Sequence, residues 1–204
     1  MMSDRRLRKF IRAWRRRYPC PIEWVDDRAN KQCRRSLDQW LAQFEGANSL
    51  KKRETISLIF WRLGGDATLM EKAVAGITGP AESGHARRCI KRALATSNPK
   101  AALDHLLGED GISGWGPEVA SAILFACRPQ TYTIFDERIL RSLVRLGAYR
   151  LEDTSFDQND WLPYLRACRR LTDSSGMTLR AVSQALWAAA DDAPNLPKKF
   201  KSKR

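Results

Sequence analysis

The chain has 204 residues, 43% of them apolar and 29% charged, enough to bury a core as one domain or two small lobes. Its formal net charge is +13, and its five cysteines lie far apart, with no two at a CxxC spacing. Such cysteine usage argues against a disulfide framework or a structural zinc site and for a reducing compartment. No apolar run approaches a membrane span, and the arginine-rich start lacks the apolar stretch of a secretory signal. The expected location is therefore cytoplasmic (nucleoid-associated) or nuclear, not secreted, with no membrane partner. Most of the charge sits at the two ends. Residues 1–17 hold eight Arg/Lys against one Asp, and a basic tail at 198–204 adds five more with no acid, leaving +1 between them. Basic arms on a nearly neutral body suit phosphate backbones or anionic membranes.

In chain order, Asp4 opens a helix in which Leu7, Phe10, Ile11 and Trp14 recur at i, i+3, i+4 and i+7, with arginines on the opposite side. Tyr18-Pro19-Cys20-Pro21 ends it. Ala29 to Glu45 reads as a second helix with Cys33, Leu37, Trp40, Leu41 and Phe44 on one stripe and Gly46 closing it. The run Ile56-Ser57-Leu58-Ile59-Phe60-Trp61 marks the helix expected to be most buried in the first half. Asp66 caps the next helix, which Thr78-Gly79-Pro80 breaks. Ala81 to Ala95 follows, with Cys89, Ile90, Ala93 and Leu94 inward and His85, Arg87, Arg88, Lys91 and Arg92 outward.

Asn98 and Pro99 begin a helix that runs to Leu107. Gly114 and Gly116 then sit two apart, where the absence of Cβ lets the backbone turn tightly and approach another molecule. Pro117 follows, at home in a first helical turn, and Ala120, Ile123, Leu124 and Cys127 continue at helical spacing. Helix, glycine hairpin, helix is the reading of 99–127, with the unpaired N–H groups at the second helix start facing out, a suitable place for a phosphate oxygen. After Asp136, Arg138 to Leu146 is helical and Gly147 ends it. Leu151 to Asp160 is a polar loop, and Trp161 to Leu171 and Thr178 to Ala190 form a closing helical pair. No strand pattern, repeat or low-complexity block is found, so the expected fold is all-α.

The segment Ile112-Ser113-Gly114-Trp115-Gly116-Pro117-Glu118-Val119-Ala120 resembles the hairpin of the helix-hairpin-helix DNA glycosylases, the superfamily of endonuclease III, MutY and the alkyladenine glycosylases. In that family a Gly-hydrophobic-Gly hairpin, a helix and a short loop precede an essential aspartate; here the aspartate is Asp136, twenty residues after Gly116. The resemblance implies a two-lobed helical bundle with a cleft between the lobes, here 1–50 plus 135–197 against 51–134. It implies an enzyme that flips a modified or mispaired base and hydrolyses its N-glycosidic bond, with Asp136 stabilising the sugar's developing positive charge or activating water. In relatives that also cut the strand, a lysine stands where this chain has Glu118. Glutamate cannot form the Schiff base, so a monofunctional enzyme without lyase activity is expected. Candidate walls of a base pocket are Glu118, Tyr132, Phe135, Trp61 and Trp24. Candidate phosphate contacts are Gly114, Trp115, Gly116, Glu118, Arg138, Arg141, Arg87 and Arg88. Trp115 replaces the family's usual aliphatic and is expected to pack the hairpin against its own two helices. The cluster cysteines of some relatives are missing, so neither an iron–sulfur cluster nor zinc is expected. The resemblance further implies K+ or Na+ on the backbone carbonyls of Ile112 and Gly114, with no metal on side chains. The expected partner is double-stranded DNA, with single-stranded DNA the second option, and the expected state is a monomer. A non-catalytic helix-hairpin-helix DNA-binding protein is the alternative. A carboxylate beside a pocket separates the two, because a bare binding module gains nothing from a charge that repels phosphate.

Overall fold

A computed structural model describes residues 4–15, 37–150 and 160–190, and every regular element among them is a helix. These are α1 (Asp4–Arg15), α2 (described over 37–42), α3 (Lys52–Leu63), α4 (Ala67–Thr78), α5 (Pro80–Ala95), α6 (Pro99–Leu107), α7 (Pro117–Cys127), α8 (Glu137–Arg145), α9 (Trp161–Ser175) and α10 (Leu179–Ala189). Trp24, Cys20, Cys33, the start of the helix expected from Ala29, most of the loop 151–160 and the basic tail lie outside the described residues. No described helix is long and apolar enough to cross a membrane.

The chain divides into two compact units. One is Gly46–Phe135, with α3 to α7; the other comprises the flanking described residues up to Glu45 and from Asp136. The lobes expected from sequence have their boundaries at 50/51 and 134/135.

Local chemistry sets the helix starts. Asp66 accepts from Leu69 N–H at 3.0 Å at the head of α4. Asn98 accepts from Lys100 and Ala101 N–H at 2.9 and 3.3 Å at the head of α6, with Pro99 in the first turn. Thr178 accepts from Ala181 N–H at 3.2 Å at the head of α10. Each cap pairs an N–H that has no partner inside its helix. The break expected at Thr78-Gly79-Pro80 ends α4 at Thr78, and Pro80 is also the first residue of α5, since a proline at N1 loses no bond.

Within Gly46–Phe135, α7 is the central helix: every residue from Val119 to Cys127 is buried, and α3, α5 and α6 pack on it. Helix α3 buries Thr55, Leu58, Ile59 and Leu63 but leaves Phe60 50% exposed. The sequence run suggested the most buried helix of the first half and did not say which side would face out. A helix packed on one side turns part of any six-residue apolar run to the outside, and here that part is Phe60. Helix α4 meets the loop before α7 backbone to backbone. A Cβ added to Gly76 would lie 1.9 Å from Ser113 O. Arg128 closes the start of this unit on its end: its guanidinium donates to Ala47 O (2.8 Å), Asn48 Oδ1 (2.7 Å), Cys127 O (3.0 Å) and Leu94 O (3.4 Å).

In the other unit, α10 is the most enclosed helix, packed by α1, α8 and α9. Ile11 of α1 is fully buried and Phe10 half-buried, while Arg5, Arg8, Lys9 and Arg12 are exposed, so the described part of the helix turns Phe10 and Ile11 inward; the side chains of Leu7 and Trp14 lie outside the described ones. Arg180 and Asp38 pair at 2.6 Å, tying α10 to α2.

Two outcomes are expected. Gly76→Ala gains about 1 kcal/mol of helix propensity but must force backbone from backbone, and the second effect wins. Denaturant melts should show a loss of about 2–3 kcal/mol, whereas Gly65→Ala, whose Cβ would meet nothing within 4 Å, stays close to wild type. The second outcome concerns Cys127, whose thiol burial pushes up from 9.0 to about 12, aided by Glu54 and opposed by Arg128. The folded state thus holds this proton more tightly than the unfolded chain. Its contribution to stability is complete below pH 9 and is lost as pH rises toward about 12. Urea midpoints measured between pH 8 and 11 should fall less steeply for Cys127→Ala than for wild type.

Candidate functional site

The loop between α6 and α7 is built from its own backbone. Gly108 N–H closes α6 on Asp104 O at 2.8 Å, Gly111 N–H donates to Gly108 O at 2.7 Å and Ile112 N–H reaches back to Leu106 O at 2.9 Å. Trp115 N–H then donates to Ile112 O at 3.2 Å, closing a turn over Ser113 and Gly114. Gly114 has φ +77°, the left-handed region that suits glycine. A Cβ there would also lie 2.4 Å from Lys72 O. Gly116 differs. Its φ of −112° is open to any residue, and an added Cβ would meet only the end of the Glu118 side chain, at 2.9 Å. Of the two glycines, only Gly114 is demanded by the backbone.

Ser113 and Gly114 are exposed, and the N–H groups of Gly114 and Gly116 donate to no backbone carbonyl among the described residues. Trp115 is buried, and its Nε1–H donates to Ala73 O at 3.1 Å. The indole thus reaches α4, a helix outside the pair that flanks the loop. An indole is too long to fit over its own short turn and needs a partner for its N–H. Its main chain remains part of the exposed turn. The Glu118 carboxylate lies back over Gly116 at the head of α7, where the helix dipole favours an anion. On the other side of the loop, His85 Nε2 lies 3.1 Å from Gly111 O and the Cys89 thiol 3.6 Å from Asp110 O. His85, expected to face outward, is therefore a loop support. Burial, with a smaller push from Asp110, raises the Cys89 thiol against the opposing pull of Arg92 and Arg88.

Asp136 is half-buried and is the N-cap of α8, its Oδ1 accepting from Arg138 N–H at 2.8 Å. The residue before it, Phe135, is held at both backbone groups. Its N–H donates to Ser121 Oγ of α7 at 2.8 Å, and its carbonyl accepts from Arg62 Nη2 of α3 at 3.1 Å. Ser121 donates in turn to Glu118 O at 3.2 Å. The chain therefore reaches Asp136 from a residue fixed on the helix that follows the glycine loop.

The remaining candidates fall into groups. Tyr132 and Phe135 are each 2% exposed, so in this structure their rings are core, while Trp61 is half-buried. Arg87 and Arg88 are exposed on α5. Arg138 stacks over the Trp187 ring, 4.1 Å from its centroid, and Arg141 pairs with Glu137 one turn away, so both guanidinia are already engaged. No group of three or more His, Cys, Asp or Glu that could hold a metal is found among the described residues. Sequence reading missed Arg62, Ser121 and Arg128. Nothing in their local pattern marks them, because their partners lie 73, 14 and 81 residues away.

Comparison of the chain with protein-family models, with curated proteins and with solved structures finds no match.

The two glycines should respond differently to the same change. Gly114→Ala is expected to cost about 2–3 kcal/mol in a denaturant melt, from a positive φ and a carbonyl in the way. Gly116→Ala is expected to cost about 1 kcal/mol or less.

Proposed function

We propose that the protein is a monofunctional DNA glycosylase of the helix-hairpin-helix class. The carrying observation is Phe135, the residue before Asp136, whose N–H is held by Ser121 of the helix that follows the glycine loop and whose carbonyl is held by Arg62 of α3. Joined to the Gly114–Gly116 spacing and the twenty residues to Asp136, it supports reading that aspartate as the working carboxylate.

In this reading, double-stranded DNA binds with one phosphate at the N–H groups of Gly114 and Gly116. Arg87 and Arg88, exposed on α5, contact its backbone. The target nucleotide leaves the stack. As the N-glycosidic bond breaks, its electron pair goes to the base, and C1′ gains oxocarbenium character that the Asp136 carboxylate stabilises. Water adds to C1′, its proton passes to the carboxylate or to solvent, and an abasic sugar and free base remain. No lysine stands at Glu118, so no covalent intermediate is formed there. A monovalent cation, K+ or Na+, fits the carbonyls of Ile112 and Gly114. Ile112 O accepts one bond, from Trp115 N–H, and a carbonyl has a second lone pair. Bound there, it would add positive charge beside the phosphate. The protein acts as a monomer inside the cell, without an iron–sulfur cluster or zinc.

One fact favours a second reading, a DNA-binding protein without catalysis: the Asp136 carboxylate already serves as a helix cap. Asparagine caps as well as aspartate but carries no charge, so the exchange separates the two roles. Asp136→Asn should keep its melting temperature and DNA affinity while base release falls at least ~100-fold. Release is scored as alkali-sensitive sites across oligonucleotides that each carry one modified base, and borohydride should trap no adduct. Unchanged release in the variant would remove Asp136 from the mechanism. No release from any substrate by wild-type protein that binds DNA would leave the binding reading.

A further inference from the structure

We infer that the outer face of α3 is a second nucleic-acid contact, a platform on which one unpaired base stacks against Phe60 while its flanking phosphates meet Arg53 and Lys52. The inference rests on the reading of DNA as partner, and not on any role for Asp136.

Among the described residues Phe60 is the one large hydrophobic side chain left exposed, at 50%. Leaving an aromatic ring in water forgoes about 1.5–3 kcal/mol of burial, and α3 has inward positions that Leu58 and Ile59 fill. Arg53, Ile56, Ser57 and Phe60 stand at i, i+3, i+4 and i+7, one helical face, and with Lys52 they line a shallow groove. Arg53 and Phe60 are two turns apart, about 10.5 Å along the axis, so cation and ring reach neighbouring parts of one extended strand. The nearby acid is turned away: Glu54 accepts from Lys51 N–H at 2.7 Å. Lys52 is held in place, its Nζ donating to Thr78 O at 2.7 Å, and keeps its charge at the edge of the groove. Across the N-terminal end of α3, Lys51 and Arg87 line an adjoining recess with Lys52, extending the basic strip.

Patch size selects the occupant. A stable protein interface buries roughly 800 Å² on each partner, whereas the apolar part of this face is one phenyl ring and one isoleucine. That matches a single base, and a ring flanked by cations is the arrangement that binds single strands without regard to sequence.

The test is fluorescence anisotropy of the full chain with a labelled oligothymidine and with a labelled duplex of the same length, at several salt concentrations. Phe60→Ala should weaken single-strand binding about 5- to 100-fold and change duplex binding much less. Phe60→Leu should remain weak and Phe60→Trp should restore affinity, since stacking needs an aromatic face. Arg53→Ala should lower affinity and flatten its salt dependence by about one phosphate. Single-strand affinity unchanged in Phe60→Ala, or equal in Phe60→Leu and wild type, overturns the platform. So does sedimentation showing a wild-type dimer that Phe60→Ala splits, because the ring would then serve a second copy. Failure of wild-type protein to bind either probe refutes the DNA reading itself, a different result from loss of the Phe60 effect.

Discussion

The Gly46–Phe135 unit depends on a place where main chain touches main chain. At Gly76 of α4 and at Ser113 and Gly114 of the loop before α7, no side chain lies between the two backbones, and a single methyl group would overlap a carbonyl oxygen on either side. Helix interiors disfavour glycine by about 1 kcal/mol relative to alanine, so Gly76 weakens α4 in order to admit the loop. The indole of Trp115 then donates to Ala73 O, a carbonyl of the same helix. Three consecutive loop residues, 113 to 115, are thus shaped by α4, a helix some forty residues earlier in the chain. The exposed turn is held by this contact together with its own backbone bonds back to α6.

A second constraint governs how the chain leaves the unit. Phe135 is buried, and a buried N–H or C=O left unpaired costs about 1–3 kcal/mol. Ser121 and Arg62 satisfy both. Because Ser121 is on α7, the exit of the unit and the exit of the glycine loop are positioned by one helix. Charge is apportioned in the same spirit. Arg62 and Arg128 donate to main-chain carbonyls, Arg138 covers an indole, and Arg141 is paired with Glu137. Arg53, Arg87 and Arg88 stay at the surface. The net charge of +13 therefore overstates what this body offers a polyanion: all but +1 of it belongs to residues 1–17 and 198–204, and within the body Arg62 and Arg128 are engaged by main-chain carbonyls.

What could be read in the sequence follows from range. Caps at Asp66 and Asn98 and the inward stripe of α5 rest on neighbours within four residues, and the residues alone revealed them. A tight glycine turn ahead of a proline-started helix was legible; that only Gly114 of the two glycines needs the left-handed region was not. The fate of apolar runs was not. Ile56 to Trp61 marked a strongly buried helix, and only the direction of packing decides that Phe60 is outside. The partners of Trp115, His85 and Phe135 were beyond reach, because contacts spanning 42, 26 and 73 residues leave no periodic trace. Tyr132 and Phe135 drew notice for flanking Asp136, yet proximity in sequence says nothing of exposure, and both are core.

Glu118 sets the electrostatic character of the exposed turn. The head of α7 carries the partial positive charge of its unpaired N–H groups, roughly half an elementary charge, and the chain's own carboxylate lies over it beside Gly116. An anion from outside meets this carboxylate first. Two like charges 4 Å apart near a protein surface repel by several kcal/mol at an effective dielectric of about 20, more than one helix terminus contributes. The turn accepts a phosphate only if the Glu118 side chain rotates away, which an unbranched, half-buried residue at the second position of a helix can do at the cost of a favourable dipole contact of about 0.3–1 kcal/mol. The resting turn accordingly keeps a carboxylate of its own beside it, and in the proposed reading a DNA phosphate would have to displace that tethered charge through the many contacts a polyanion makes at once.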